Sequence, residues 1–375
     1  MRPSSTSTPA EADGRRTRGG RQRMTQGDGP ARAGSASTGT GRGASASGSQ
    51  VKGVLLRQET ILFGVLVAMV AFFTVLNPLF FSTHALGNVL QDWAPVMLLA
   101  IGQTYVIVTA GIDLSVGSTL GLSGVSAALT IRALTEGGTS PAMAITAGFV
   151  VAIAVGVTVG LVNGLLIVKA KLAPFIATLA TMGAGAGLTL VVTRGVQIAG
   201  GPREVITIGN TRILDVLTPP LIGVLLVLVI AWVALEQTRF GRWTYAIGSN
   251  DFAARAAGIN VSGHLVKVYM LSGFMAALAG LFVYIRLGSG SPTSGLGFEL
   301  NAIAAAVIGG TSLFGGTGKM IGTFLGALIT TAVLSGLILI GVAPYWQQVV
   351  VGVLIAVAVG LQHVNVGRSR GAKHG

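Results

Sequence analysis

The side chains best placed to do chemistry in this sequence are the few charges lying within or beside long apolar runs. A charged group near the centre of a bilayer is costly, so such residues persist where they act. Asp92, Asp113 and Glu299 are of this kind. Asp113 sits in TAGIDLSVGST, where Gly111 breaks one helix and Asp113 or Ser115 can cap the next. Two roles follow. A half-helix starting at membrane depth would turn N–H groups and a carboxylate toward a polar cavity. A helix cap nearer the cytoplasmic surface would be structural, and the cap chemistry favours that role. Glu299 and Asn301 begin a short apolar run, where they can line the entrance to a translocation path or cap that helix.

Other constellations are missing. The glycine-rich stretch IGGTSLFGGTGKMIG invites a nucleotide-binding reading, but a P-loop needs Gly and Ser/Thr where Leu313 and Met320 stand. No strand is predicted before it. The histidines at 84, 264, 363 and 374 have no metal-ligand spacing, and there is no cysteine for a disulfide or thiolate site. No nucleophile–base pair or carboxylate pair emerges. The sequence therefore predicts no catalytic residue, no metal and no cofactor.

The elements that must position these residues are read from composition and periodicity. Of 375 residues, 51% are hydrophobic and only 10% charged, with a mean hydropathy of +0.75. A soluble chain carries roughly a quarter charged residues, so lipid is the main solvent here. Apolar runs near spanning length, about 20 residues, lie at 61–81, 92–110, 113–132, 142–168, 173–193, 217–236, 265–287, 297–310, 318–340 and 345–362. The second and third are separated only by Gly111 and Ile112. The eighth is short enough for a half-helix or re-entrant piece. The expected fold is all-α, a polytopic bundle of about ten transmembrane helices.

Charge placement sets the expected orientation. Up to Arg57, ten Lys or Arg stand against Glu11, Asp13 and Asp28, giving +7 of the formal net +13. This Gly/Ser/Thr/Arg-rich stretch buries too little apolar surface to fold. A basic tail can touch nucleic acid or anionic lipid, but the expected role is a disordered cytoplasmic extension with no nucleic-acid partner. With that tail inside, the cytoplasmic connections and C-terminus hold Lys169, Lys171, Arg239, Arg242, Arg255, Lys267, Lys319, Arg368, Arg370 and Lys373. The other side holds Arg132, Arg194, Arg203, Arg212 and Arg286. The excess follows the positive-inside rule, with both termini cytoplasmic. Residues 1–57 form the tail, 58–364 the transmembrane domain and 365–375 a second cytoplasmic tail.

Two connections exceed a turn. One, 194–216, faces outward and carries Arg203, Glu204, Arg212 and Asp215. The other, 237–264, is cytoplasmic. Within it Asp251–Ala257 is good helix-forming sequence, with Asn250 as N-cap and Gly258 as stop. It predicts a short amphipathic helix, either a partner-docking element or an ordinary interfacial helix. Many of the 56 glycines fall at small-xxx-small spacing, as in Gly156-Gly160-Gly164, Gly183-Gly187 and Gly318-Gly322-Gly326. Such spacing lets helix backbones approach closely in lipid.

Four blocks, taken in order, carry a family resemblance: GIDLSVGS at 111–118, GLVNGLLIVKAKLAPFIATLATM at 160–182, AIGSNDFAARAAGIN at 246–260 and FELNAIAAAVIGGTSLFGGTGKMIGTFLGALI at 298–329. Over roughly residues 60–362 the chain resembles the permease subunits of bacterial ABC importers for monosaccharides, the ribose/xylose/galactoside group. The resemblance implies a non-catalytic membrane subunit, paired with a second permease copy. It further implies a cytoplasmic ATP-binding subunit and an extracytoplasmic sugar-binding protein as partners. It identifies 246–260 as the coupling segment, with Asn250, Asp251, Phe252, Ala253, Ala254, Arg255 and Gly258 as its expected contacts. Against the permease pattern Glu-Ala-Ala-three residues-Gly, Ala253, Ala254 and Gly258 match. Phe252 replaces the glutamate, leaving Asp251 or Arg255 to supply polar contacts. GIDLSVGS and PFIATLATM favour sugar over branched-chain amino acids, the cargo of a related family. An ion-coupled secondary transporter would require inverted repeats and a mid-span carboxylate, and neither is evident.

Overall fold

The computed structural model describes residues 58–371 except Leu214 and Pro344, with side chains described as far as Gly360. The basic stretch 1–57 lies outside the described residues. In chain order the helices are α1 (Gln58–Leu76), α2 (Thr83–Val108), α3 (Val116–Glu136), α4 (Pro141–Val168), α5 (Pro174–Thr193), α6 (Arg203–Asn210) and α7 (Pro219–Gln237). They continue with α8 (Arg239–Ser249), α9 (Asp251–Ala256), α10 (Val261–Leu287), α11 (Phe298–Ile308), α12 (Met320–Leu339) and α13 (Tyr345–Gly371). The described residues are all-helical, apart from isolated bridges such as Ile198 to Gly290.

Each of the ten apolar runs has its helix. Seven of these (α1, α2, α4, α5, α7, α10 and α12) are long and apolar enough to cross a membrane. The other three are α3, rich in Ser and Thr, the 11-residue α11, and α13, whose apolar part is Tyr345–Gly360. The break expected at Gly111-Ile112 is present: α2 ends at Val108 and α3 begins at Val116. At 1.5 Å per residue α11 is roughly 16 Å long, about half a bilayer core. It matches the half-helix expected of the eighth run. The last helix continues to Gly371, into the stretch expected to be a tail.

Local signals set these boundaries. Pro141, Pro174 and Pro219 open α4, α5 and α7, where a missing N–H costs nothing. Ser82 caps α2 by accepting the Ala85 N–H, and Gly288, with φ +66°, closes α10. Helix α10 packs on α2, α3 and α4, and α2 also meets α7, α11 and α12. The stretch Trp93–Val108 of α2 is buried on every side, so these two helices form the centre. Around them, α1, α4, α5 and α7 turn out apolar side chains such as Phe63, Val150, Val191 and Ile230, a surface suited to lipid.

The α4–α10 contact explains one glycine stripe. A Cβ on Gly156 would meet the Gly273 carbonyl oxygen, and one on Gly160 the Tyr269 carbonyl oxygen. Gly164 lies over the Val266 backbone. Gly322 and Gly326 of α12 approach Gly309 and Ala305 similarly. The pair Gly183 and Gly187 differs: both face open space within this chain.

Candidate functional site

Two regions at opposite ends of α10 and a buried centre between them hold the residues singled out above. At the N-terminal end of α10, α8 stops because Asn250 takes an extended conformation, φ −164° and ψ 104°. Its Oδ1 then accepts the Ala253 N–H at 2.9 Å, starting α9. Gly258, with φ +82°, ends the turn and donates its N–H to the Arg255 carbonyl at 2.9 Å. Asn260 caps α10 by accepting the Gly263 N–H at 2.9 Å. The predicted short helix and both its signals are therefore present. Of its residues only Ala254 is buried, packed with Ile247 and Val261. Asp251, Ala253, Arg255 and Gly258 are exposed, and Phe252 is 79% exposed. Asp251 and Arg255 form an i,i+4 pair at 3.8 Å with both side chains exposed, an arrangement worth little to stability.

Asp113 is a cap, but a buried one. It is 1% exposed, because α10 covers the 109–115 break. Its Oδ1 accepts the Ser115 N–H at 3.0 Å and the Ser115 hydroxyl at 2.6 Å. Its Oδ2 accepts the Ser272 hydroxyl of α10 at 2.7 Å. Gln103 of α2 clamps the Asp113 backbone, donating to its carbonyl at 2.7 Å and accepting its N–H at 3.3 Å. Asn163 of α4 donates to the Ser115 hydroxyl at 2.8 Å and accepts from Thr181 of α5 at 2.6 Å. Ser115 itself makes no side-chain cap bond; it links the carboxylate to Asn163. This network ties the break to α2, α4, α5 and α10 and gives each of its buried polar side chains a partner, as burial demands.

The glycine-rich stretch is a junction beside that network. Gly316 donates its N–H to the Val108 carbonyl at 2.8 Å. Gly248 of α8 lies against the same carbonyl so closely that a Cβ there would overlap it. Tyr245 of α8 donates its hydroxyl to the Gly318 carbonyl at 2.7 Å; burial pushes that phenol up to about 12, so it remains the donor at neutral pH. Lys319 pairs with Glu59 at 2.5 Å. The stretch thus joins α8, the end of α2 and the start of α1.

At the other end of α10 the two remaining candidates part company. Glu299 accepts the Gly297 N–H at 3.2 Å and acts as a cap at the start of α11. Asn301 lines a cavity of about 390 Å³ together with Asp92 and Arg286, which form an ion pair at 2.7 Å. The sequence pointed to Asp92 but not to its partner, 194 residues away. Gln103, Asn163 and Ser272 were not anticipated either. Their one signal was an amide or hydroxyl inside an apolar run.

Residues 85–359 match the family model described as branched-chain amino acid transport system / permease component. The ribose import permease protein of Escherichia coli K12 is 41% identical over 317 residues, covering 82% of this chain and 94% of the relative. The Bacillus subtilis ribose import permease protein is 44% identical, covering 78% of this chain and 88% of its own length. The D-allose transport system permease protein of E. coli K12 is 36% identical, covering 80% and 90%. No solved structure matches the chain.

Proposed function

Because the chain belongs to the family of branched-chain amino acid transport system permease components, within the ABC-importer permeases its sequence blocks resemble, we propose that it is the membrane subunit of an ABC importer for a monosaccharide. It is a multi-pass membrane protein. In this reading ten helices span the bilayer with both termini cytoplasmic, a second copy completes the path, and the chain catalyses nothing itself. A cytoplasmic ATP-binding subunit supplies the work and an extracytoplasmic sugar-binding protein delivers cargo. Sugar is preferred to branched-chain amino acids because the relatives are ribose and allose permeases.

The observation that carries the coupling role is α9. A six-residue helix capped at its start holds an aromatic ring 79% exposed. Aromatic side chains are the type that most often anchors a protein interface. Its base, Ala254 against Ile247 and Val261, links it to α8 and α10. Phe252 stands where the family pattern has glutamate, so the contact to the ATPase is apolar at that position, with Asp251 and Arg255 on its flanks.

The sequence contains no cysteine, so Phe252→Cys creates a unique thiol. In the reconstituted importer it should crosslink to the ATP-binding subunit, and sugar uptake should require ATP. Uptake by the chain alone in vesicles, driven by an ion gradient, would instead establish the secondary-transporter alternative.

A further inference from the structure

The cavity at the C-terminal end of α10 carries an inference that rests on the sugar-permease reading and deepens it. We propose that this cavity is a polyol-binding site on the permease itself. In it the Asp92–Arg286 pair, Asn301 and Thr331 would hydrogen-bond the hydroxyls of a neutral pentose- or hexose-sized sugar.

The volume, about 390 Å³, lies in the range of small-molecule sites, roughly 300–1,000 Å³. Its walls are of two kinds. Val96 of α2, Val283 of α10, Phe298 of α11 and Leu334 of α12 are apolar and can cover the C–H face of a sugar ring. One helical turn from each stands a polar group with hydrogen-bonding capacity unspent: Asp92, Arg286, Asn301 and Thr331 in turn. Arg286 Nη1 donates to Asp92 Oδ1 at 2.7 Å, while the two side chains remain 29% and 42% exposed. That bond uses one guanidinium donor and one carboxylate acceptor site, leaving most of both free. Thr331 is 3% exposed, and its hydroxyl has no partner among the described residues. Buried hydroxyls are nearly always paired; of the buried side-chain polar atoms left without a partner, this one lines the cavity. The side chains of Asn301, Ser335 and Gln347, which also line the cavity, make no hydrogen bond among the described residues.

The charge pattern selects the ligand class. Asp92 and Arg286 already neutralise each other, so the site offers no net charge to a cation or an anion. A zwitterionic amino acid would have to split the pair to match its own charges, leaving desolvated ions to be re-paired. A hydroxyl both donates and accepts. A polyol can therefore satisfy both ions without separating them, and can reach Asn301 and Thr331 with its remaining hydroxyls. The apolar side chains one turn away exclude water without demanding charge.

A cysteine-free chain makes the test direct. Ser335→Cys is introduced into the full-length chain in lipid nanodiscs, and its reaction rate with a small neutral methanethiosulfonate is measured. D-ribose or D-allose at about ten times its Kd should slow labelling about ten-fold by mass action, and L-leucine should leave it unchanged. Asn301→Ala and Arg286→Lys should each remove the sugar protection while leaving the sugar-free rate near that of the reporter alone. If Ser335→Cys melts early or does not react, Thr293→Cys, exposed on the same cavity, serves as the reporter. Failure of both folded reporters to react means that solutes do not reach the cavity, and overturns the proposal. No slowing by either sugar up to saturating concentration, or equal slowing by leucine, overturns it too. ATP-dependent uptake of the same sugars by the assembled importer separates the two levels. Sugar uptake without protection rejects the cavity and keeps the function, whereas absence of sugar uptake rejects both.

Discussion

Gly160 and Gly183 look alike in sequence: each lies inside an apolar helix with another glycine four residues away. Their surroundings assign opposite outcomes to the same substitution. A Cβ on Gly160 would fall on the Tyr269 carbonyl oxygen, with Met270 Cα at 2.8 Å and the Tyr269 carbonyl carbon at 2.9 Å. All three are backbone atoms of α10, so no flexible side-chain end can give way. Helix α4 must back off, which also loosens Gly156 and Gly164 on the same stripe. Overpacking of this kind costs about 1–3 kcal/mol. Around Gly183 nothing lies within 4 Å. There alanine only gains helix propensity, about 0.8–1.0 kcal/mol. Gly160→Ala gains the same propensity, so the two variants should differ in stability by the overpacking cost, about 1–3 kcal/mol, with Gly160→Ala the weaker. Thermal melting of the full-length chain in one detergent, read for wild type and both variants, measures this difference. A Gly160→Ala protein melting at or above wild type would refute the claim that these glycines set the α4–α10 distance. So would equal losses at the two positions.

Two further outcomes follow from the junction at the α9 end. Gly248→Ala drives a Cβ into the Val108 carbonyl and to 2.7 Å from the Gly316 nitrogen; it should lower both melting temperature and uptake while a Phe252→Cys crosslink to the ATPase persists. Lys319→Gln removes an ion pair whose lysine is 64% exposed; melting in low salt should change by less than about 1 kcal/mol equivalent, and the difference should vanish in high salt.

Features with local chemical causes were legible in the sequence. Gly111 and Ile112 announced the gap between α2 and α3, and the short eighth run announced α11. Asn250 and Gly258 bounded α9 because a cap and a left-handed stop act within a few residues. Pairing across the bundle was not legible. The partners of Asp113 come from Ser272, 159 residues on, and through Ser115 from Asn163. Nothing in an apolar run says which turn of which helix will face it. The glycine stripes make the same point physically. Spacing places small residues on one face, but the neighbouring helix decides whether that face is covered. Gly156-Gly160 is covered by α10 and Gly183-Gly187 is open.

Asp113 is where those non-local links converge, and its replacement separates two ways a carboxylate can matter in a transporter. Helices α2 and α10 are joined at one end by Asp92–Arg286, and the break after α2 is tied to the middle of α10 by Asp113–Ser272. The C-terminal end of α2 touches Gly316, and through it α8. If Asp113 serves this frame, hydrogen-bonding shape is what counts. Asp113→Asn keeps Oδ1 as acceptor for Ser115, and its new N–H can donate to the Ser272 oxygen. The Ser272 hydroxyl then turns to the carbonyl four residues back, a common helical arrangement. The cost should be about 1 kcal/mol, within the net worth of one hydrogen bond. Asp113→Ala leaves the Ser115 N–H and the Ser115 hydroxyl buried without their acceptor, at about 1–3 kcal/mol each, and should lower both melting temperature and uptake. ATP-driven uptake should therefore survive in Asp113→Asn and fail in Asp113→Ala. An Asp113→Asn protein that melts like wild type but transports nothing would mean that the charge itself is required. That result would move the mechanism toward ion coupling.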